Sequence, residues 1–426
     1  MNLEFETQHA GSYRIAGQLS AEDLGGETFN LPFTFQLSIA QPGPPYCLPD
    51  YQPYQLGEGL GDDRTFAGRK DLLHWLRGLW RQPQGKSTVI LVGQRRIGKT
   101  SLLNKIQRDG LPDTGLLPVL VNIQGVAGEF DFLHTVAREM ARLLKLPAPL
   151  LDTAQPYPGF KDFLLGLKPR LAERRFLLML DEADLIPQRH LGDLLPGFLR
   201  ALMQEPQYPT LLLFCGTHAL KHMSRDYSSI LFNTAQFRTV SYMNESESAE
   251  VLEKPARGIL EYDPAALAEA YRLTSGQPLL LQSIGAALIE AFDAVVLDGG
   301  ERSNHVNLND LNRAADQVAQ SANAAFEQHW ADSDTATHRL LSTLAWATDE
   351  INRPQLDLPG IESCAVEVRL NSAEGVVFKI VERLADEEIL LRLGPTYRFA
   401  VPLYRRWVAW RWPPDLVRAE RERSRT

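Results

Sequence analysis

The 426-residue chain is 44% hydrophobic and 23% charged, the balance of a folded globular protein with room for roughly three domains. A net charge of −9 works against coating nucleic acid by bulk attraction, and no unbroken apolar run reaches the roughly 18 residues expected of a membrane span. The opening MNLEFETQHAGSYRIAG shows no basic segment followed by an apolar one, and Cys47, Cys215 and Cys364 lie far apart with no metal-ligand spacing, so a protein of the reducing cytoplasm is expected.

In chain order, Leu3–Thr7, Ser12–Gly17 and Leu31–Ile39 alternate apolar and polar residues and read as strands of a small β module, residues 1–45. Gln41–Asp63 carries five prolines and four glycines and reads as an irregular connector. A helix follows through residues 65–80, with Leu72, Leu73, Leu76 and Leu79 at helical spacing. From Ser87, strands at Ser87–Val92, Leu116–Gln124, Arg175–Asp184, Thr210–His218 and Gln236–Met243 are spaced by helical segments such as Phe130–Lys145. That pattern predicts an α/β core with a parallel sheet over residues 46–243. Residues 244–305 read as a helical lid: Asn244 and Glu247 form a candidate capping box, Asp263-Pro264 starts a second helix, and Gly276-Gln277-Pro278 starts a third. Asp298–Asn307 reads as a hinge. Beyond it, a long helix to Trp330, further helices at Thr337–Ala347 and Ala373–Asp386, and two short strands around Gly394-Pro395 predict a winged helix within residues 306–426.

The chemistry concentrates at Gly93-Gln94-Arg95-Arg96-Ile97-Gly98-Lys99-Thr100-Ser101, which follows a buried strand and opens a helix. Glycines at these positions let backbone N–H groups turn around a polyphosphate. Lys99 is then placed for the β and γ phosphates, and the Thr100 hydroxyl for Mg²⁺. The helix beginning at Lys99 adds its positive end to the same anion. The second site is Asp181-Glu182, 82 positions after Lys99, at the end of an apolar strand where an unpaired carboxylate is costly. Asp181 is expected to hold Mg²⁺ opposite Thr100, and Glu182 to orient and deprotonate the attacking water. Thr217 reads either as a contact to the γ phosphate or as a turn residue. Asp184 reads as a solvated helix cap and His218 as a satisfied surface histidine. Arg95 and Arg96 either touch phosphate or a neighbouring subunit or pair with surface acids, and Arg225 is a candidate finger for another subunit.

Taken together, Phe66–Arg69, Gly93–Leu103, Leu178–Asp184, Phe214–Thr217, Leu273–Gln282 and Tyr397–Val408 resemble, in order and spacing, the STAND and origin-recognition-like branch of AAA ATPases. The resemblance implies a nucleotide-binding core, a helical lid and a winged helix. It also implies that Phe66, Gly68 and Arg69 lie near adenine, that Pro278 brings the lid over the nucleotide, and that slow hydrolysis of ATP to ADP switches the molecule's form. The chain departs from STAND proteins in lacking long repeats after the winged helix. Three functions follow as expectations: an ATP-driven switch acting through self-association or an effector protein, a DNA-binding initiator or transposition-type ATPase, or a scaffold that binds ATP without hydrolysing it. Acids Glu374, Glu382 and Asp386 beside Lys379 and Arg383 on the candidate recognition helix favour the first, as do Asp415, Glu420 and Glu422 within the Arg-rich tail from Arg405 to Arg425. Trp407, Trp410 and Trp412 are expected to be buried against the ATPase core rather than to stack on bases.

Overall fold

A computed structural model describes residues 11–22, 28–39, 43–57, 65–81, 87–189, 191, 194–220, 235–321, 324–331, 333–350, 352–367, 375–415 and 417. The strand expected at Leu3–Thr7, the candidate finger Arg225, Glu374 and the tail beyond Val417 lie outside the described residues.

The chain opens as one antiparallel hairpin, β1 (Gly11–Glu22) and β2 (Thr28–Ile39). Tyr13, Ile15 and Gly17 recur every second residue and share a face. Gly17 lies opposite Phe33, whose ring covers it so closely that a Cβ there would stand 2.5 Å from the ring and the ring would have to shift. No described residue of the hairpin is buried.

The core begins at α1 (Lys70–Trp80) and β3 (Val89–Val92), and continues through α2 (Lys99–Asp109), β4 (Leu116–Asn122), α3 (Glu129–Leu143), α4 (Pro156–Leu171), β5 (Arg175–Asp181), α5 (Leu195–Gln204), β6 (Thr210–Gly216) and β7 (Gln236–Thr239). The five strands form a parallel sheet in the order β4-β5-β6-β3-β7. Alternate residues feed two cores. Ile90, Leu178 and Phe214 pack under α3, α4 and α5, whereas Leu91, Met179 and Leu213 pack under α1 and α2. Each such side chain contributes about 1.5–3 kcal/mol of burial, so both faces hold the strands in register. Helix α4 was not anticipated, although Phe160, Leu164, Leu167 and Leu171 recur at helical spacing. Pro156 and Pro169 obscure the signal, yet Pro156 occupies the first turn, where no N–H is needed.

The lid comprises α6 (Glu245–Glu253), β8 (Glu261–Tyr262), α7 (Pro264–Thr274) and α8 (Pro278–Leu297). The Asn244–Glu247 capping box forms as expected. Asp263 stands at the α7 N-cap position but does not cap with its side chain, which lies 2.7 Å from His305 Nε2 instead. Helix α8 is long and apolar enough by length and composition alone to cross a membrane, although Gln282, Ser283, Glu290 and Asp293 interrupt its apolar run. Its Leu281, Ile284, Leu288 and Phe292 are buried in the lid and C-terminal core. The expected hinge at Asp298–Asn307 is pinned rather than free, because β9 (His305–Val306) pairs with β8 and Ser303 bridges to Pro45. The connector also packs on the lid: Tyr54 OH lies 2.7 Å from Leu252 O, and its ring fills the space a Cβ on Gly285 would need.

The remainder is α9 (Leu308–Gln320), α10 (Ala324–Ala331), α11 (Thr335–Ala347), β10 (Leu356–Asp357), α12 (Leu358–Glu367), α13 (Val376–Asp386), β11 (Leu390–Leu393), β12 (Thr396–Phe399) and α14 (Pro402–Arg411). Three helices followed by a hairpin, with β10 added beside β12, give the arrangement of a winged helix. The expected single helix to Trp330 is two, α9 and α10. Trp407 is buried, but against Phe326, Trp330 and Tyr404 of its own domain rather than against the ATPase core, while Trp410 is exposed.

Candidate functional site

Strand β3 ends at Val92, and Gly93 turns the chain where no side chain fits, since a Cβ would stand 2.4 Å from Val240 O. Arg96 and Gly98 take left-handed φ values of 60° and 93°, which curl the loop back toward α2. Gly98, the N-cap of α2, has no side chain to offer the first turn, so the positive helix end faces the loop uncapped. Lys99 is only 7% exposed, and its ammonium donates to Gly93 O at 3.0 Å and Gln94 O at 2.7 Å. These hydrogen bonds run to carbonyls rather than to a carboxylate, which leaves the ammonium able to turn to an incoming anion.

Asp181, 1% exposed at the end of β5, accepts from Thr100 Oγ1 at 2.7 Å and from the Glu182 N–H at 3.0 Å. A hydroxyl and a carboxylate converging this closely are hard oxygen donors of the kind Mg²⁺ takes, so the donor set fits that ion. Glu182 adopts a left-handed φ of 53°, and its carboxyl is pushed above the usual range by burial first, then by the charges of Asp181 and Asp184. The sheet order places β6 between β3 and β5, so Thr217, just past β6, stands between the phosphate loop and the acids. Thr217 gives its hydroxyl to Asp184 Oδ2 at 2.9 Å and its N–H to Asp184 Oδ1 at 3.2 Å. Asp184 is therefore a cross-strand acceptor within the turn that follows β5, not the solvated cap expected, because the turn aims it at the neighbouring strand.

On the lid side, Phe66, Gly98, Ser101 and Pro278 line one small pocket of about 40 Å³ together with Met243 and Val251. Its walls are mainly apolar. Gly68 does not line it. Its φ of 69° and a Glu247 side chain 3.1 Å from any added Cβ make it a packing glycine. Arg69 borders the pocket, but its guanidinium is bound to Ser241 O at 2.6 Å and Ile97 O at 2.8 Å. Burial lowers its pKa, and Glu247 and Glu388 oppose that shift. Arg95 and Arg96 are exposed on the loop surface. His218 is half-buried with Nε2 3.9 Å from Glu388 Oε2.

One set of contacts was not legible in sequence. Gln94 extends its side chain away from the loop, donating through Nε2 to Tyr242 OH at 2.9 Å and to Glu387 O at 2.7 Å. Tyr242 OH donates to Glu388 O at 2.8 Å, and Ser241 Oγ to Glu388 Oε1 at 2.7 Å. Glu387 and Glu388 form the turn between α13 and β11, closed by Glu388 N–H to Ala385 O and Ile389 N–H to Leu384 O. The only local signal is that Glu388 holds a φ of 57° where glycine is the usual choice.

No protein-family model matches the chain, and no curated protein matches its sequence. Among solved structures it is similar to the Walker-type ATPase PABY2304 of Pyrococcus abyssi, at 16% identity and a TM-score of 0.58, over 82% of this chain and 98% of that one. It is also similar to the Aeropyrum pernix ORC2 protein in its ADPNP-ADP complexes, at 14% identity and a TM-score of 0.58, over 85% and 98% of the two chains. The ADP form of the same ORC2 protein gives 14% identity, a TM-score of 0.51 and coverage of 86% and 97%. The chain thus shares the fold of these Walker-type ATPase and ORC2 structures.

Proposed function

We propose that the chain binds Mg²⁺-ATP, hydrolyses it slowly, and uses the difference between ATP and ADP to reposition its winged helix and so control a protein partner or its own assembly. The γ-phosphoryl group accepts water while the bond to the β-phosphate oxygen breaks, Glu182 takes the water proton, and ADP leaves. Thr100 and Asp181 are the residues to hold Mg²⁺, which supplies charge neutralisation on the phosphates. Lys99 neutralises the β and γ phosphates, and the pocket at Phe66, Gly98 and Pro278 takes the base.

The observation that carries the switch is Gln94. Its backbone carbonyl accepts from Lys99 and its side chain grips the Glu387-Glu388 turn, so any shift of Lys99 toward phosphate acts on the residue that holds the winged helix. Hydrogen exchange at Glu387–Ile389 with and without a non-hydrolysable ATP analogue tests this. The expected result is a nucleotide-dependent change in protection in the wild type that Tyr242→Phe weakens, since it removes the bridging hydroxyl but leaves the direct Gln94–Glu387 bond, while ATP affinity stays within about twofold. Identical exchange in all nucleotide states ends the switch reading. Mass measurement with ADP, ATP and the analogue then decides between self-association and a separate effector.

A second reading is a DNA-binding ATPase, supported by the winged-helix arrangement itself and by the exposed Lys379 on α13. The charge census weighs against it. Arg383 pairs with Asp334, Arg392 with Glu382, Arg405 with Glu350, and Arg406 with Glu350 and Asp316, so each of these arginines has an acid beside it that competes with phosphate. Duplex DNA titrated at two salt concentrations separates the readings: a steep loss of affinity on raising salt favours DNA binding, whereas no binding tighter than about 10⁻⁴ M at physiological salt favours the switch.

A further inference from the structure

The hairpin at the start of the described chain alternates strictly. Tyr13, Ile15, Gly17, Leu19 and Ala21 of β1 stand in register with Leu37, Phe35, Phe33, Leu31 and Phe29 of β2, so one phase is apolar throughout. The other phase is polar apart from Ala16 and Pro32. A ribbon of two strands is marginal in water by itself, and further strands that extend its apolar face are what makes such a sheet stable. Among the described residues β1 pairs with β2 alone.

The two outer edges of the ribbon differ. Pro32 lies in the middle of β2, opposite Gln18. A proline stays within a ladder where its nitrogen faces outward, so the outer edge of β2 lacks an N–H at its centre. Residues directly opposite in an antiparallel pair either bond each other or turn their polar groups away, so Gln18 directs its N–H and C=O toward the outer edge of β1. Arg14, Ala16, Ser20 and Glu22 share that phase, and no proline interrupts it. The two strands hold two charged residues, Arg14 and Glu22, of opposite sign and placed four positions before and four after Gln18.

We propose that the outer edge of β1 is an interface for a second copy of this chain, with the two β1 strands pairing antiparallel about Gln18. That symmetry sets Arg14 of each copy opposite Glu22 of the other, so the charge pair forms twice. In the apolar phase Ile15 meets Ala21 and Gly17 meets Leu19, large against small, and the apolar face continues across four strands. About ten ladder hydrogen bonds join the copies. A strand of another protein can meet the same backbone groups, but a copy of β1 answers both charges with no further residue required. The contact does not depend on nucleotide chemistry, and it gives the self-association considered above a surface.

The test uses the full chain labelled at Cys47, the exposed cysteine of the three, with donor dye on one batch and acceptor dye on the other. Energy transfer is followed against concentration with ADP and with a non-hydrolysable ATP analogue, and fluorescent-ATP binding is measured in parallel. The wild type is expected to associate in at least one nucleotide state. Arg14→Glu and Glu22→Arg should each weaken association by about 10-fold or more, since two attractive cross-strand pairs become repulsive. Mixing the two single variants should restore it, because one chain then carries acids at both positions and the other bases at both. Gln18→Pro removes an outward N–H at the symmetry axis and should abolish transfer while ATP affinity stays within about twofold. No transfer by the wild type in either state up to about 10⁻⁴ M overturns the proposal, as do single variants that associate like the wild type. A mixture no tighter than either variant alone also overturns it, and is the result expected if β1 pairs with another segment of its own chain or with a different protein. If Gln18→Pro loses ATP binding, the charge variants and their mixture decide alone. Failure on any of these counts leaves the ATPase and switch readings standing, since neither uses β1.

Discussion

The nucleotide site and the C-terminal domain use their cations in opposite ways. At the site, Lys99 is buried against the neutral carbonyls Gly93 O and Gln94 O, and Arg69 donates to Ser241 O and Ile97 O with the charges of Glu247 and Glu388 nearby. Around Glu350, Arg272 of lid helix α7 converges with Arg405 and Arg406 of the C-terminal domain; Arg406 also reaches Asp316, and Arg405 also donates to Ala345 O and Thr348 O. A cation on a carbonyl retains its field for a ligand, whereas a cation on a carboxylate has spent it on holding the fold. The contrast separates binding from scaffolding more sharply than counts of basic residues do, and it predicts which substitutions act on ligand and which on stability.

Lys99→Ala should have the largest effect, lowering ATP affinity on the order of 100-fold in a fluorescent-nucleotide titration with little change in thermal unfolding without ligand. An unchanged affinity would break the comparison at its first term. Glu350→Gln should do the converse. Loss of the shared acid should destabilise the full chain by about 1–2 kcal/mol, below the figure for a fully buried pair because its partners are partly exposed, and leave ATP affinity intact. Burial pushes the Glu350 carboxyl up, but the ion pairs with Arg406 and Arg272 outweigh it and hold it below its ordinary value of 4.5. Since the folded-state value is depressed, that stabilisation is present above about pH 4.5 and is lost as the pH falls below it. The difference in melting temperature between wild type and Glu350→Gln should therefore shrink on acidification. The smallest effect is expected for Glu388→Gly. Relief of the left-handed backbone, worth about 1 kcal/mol, offsets loss of the Ser241 hydrogen bond of similar size, so unfolding should hardly move. Nucleotide-dependent exchange at the winged-helix turn should nevertheless weaken, which would show that the glutamate is kept for coupling rather than stability.

The sequence alone determined the local chemistry: a strand running into Gly93–Thr100, an apolar strand ending in Asp181-Glu182, and a capping box at Asn244. Each is written within a few consecutive residues, because turn geometry, helix starts and strand burial depend on near neighbours. Only the tertiary structure decided that β6 lies between the phosphate loop and the acids, that Asp184 faces Thr217 rather than solvent, that the expected hinge at Asp298–Asn307 is pinned by β8 and Pro45, and that Gln94 meets a turn nearly three hundred residues away. Strand order and domain docking are set by which faces bury together over the whole chain. A side chain committed across such a junction leaves no periodicity or spacing of its own to read.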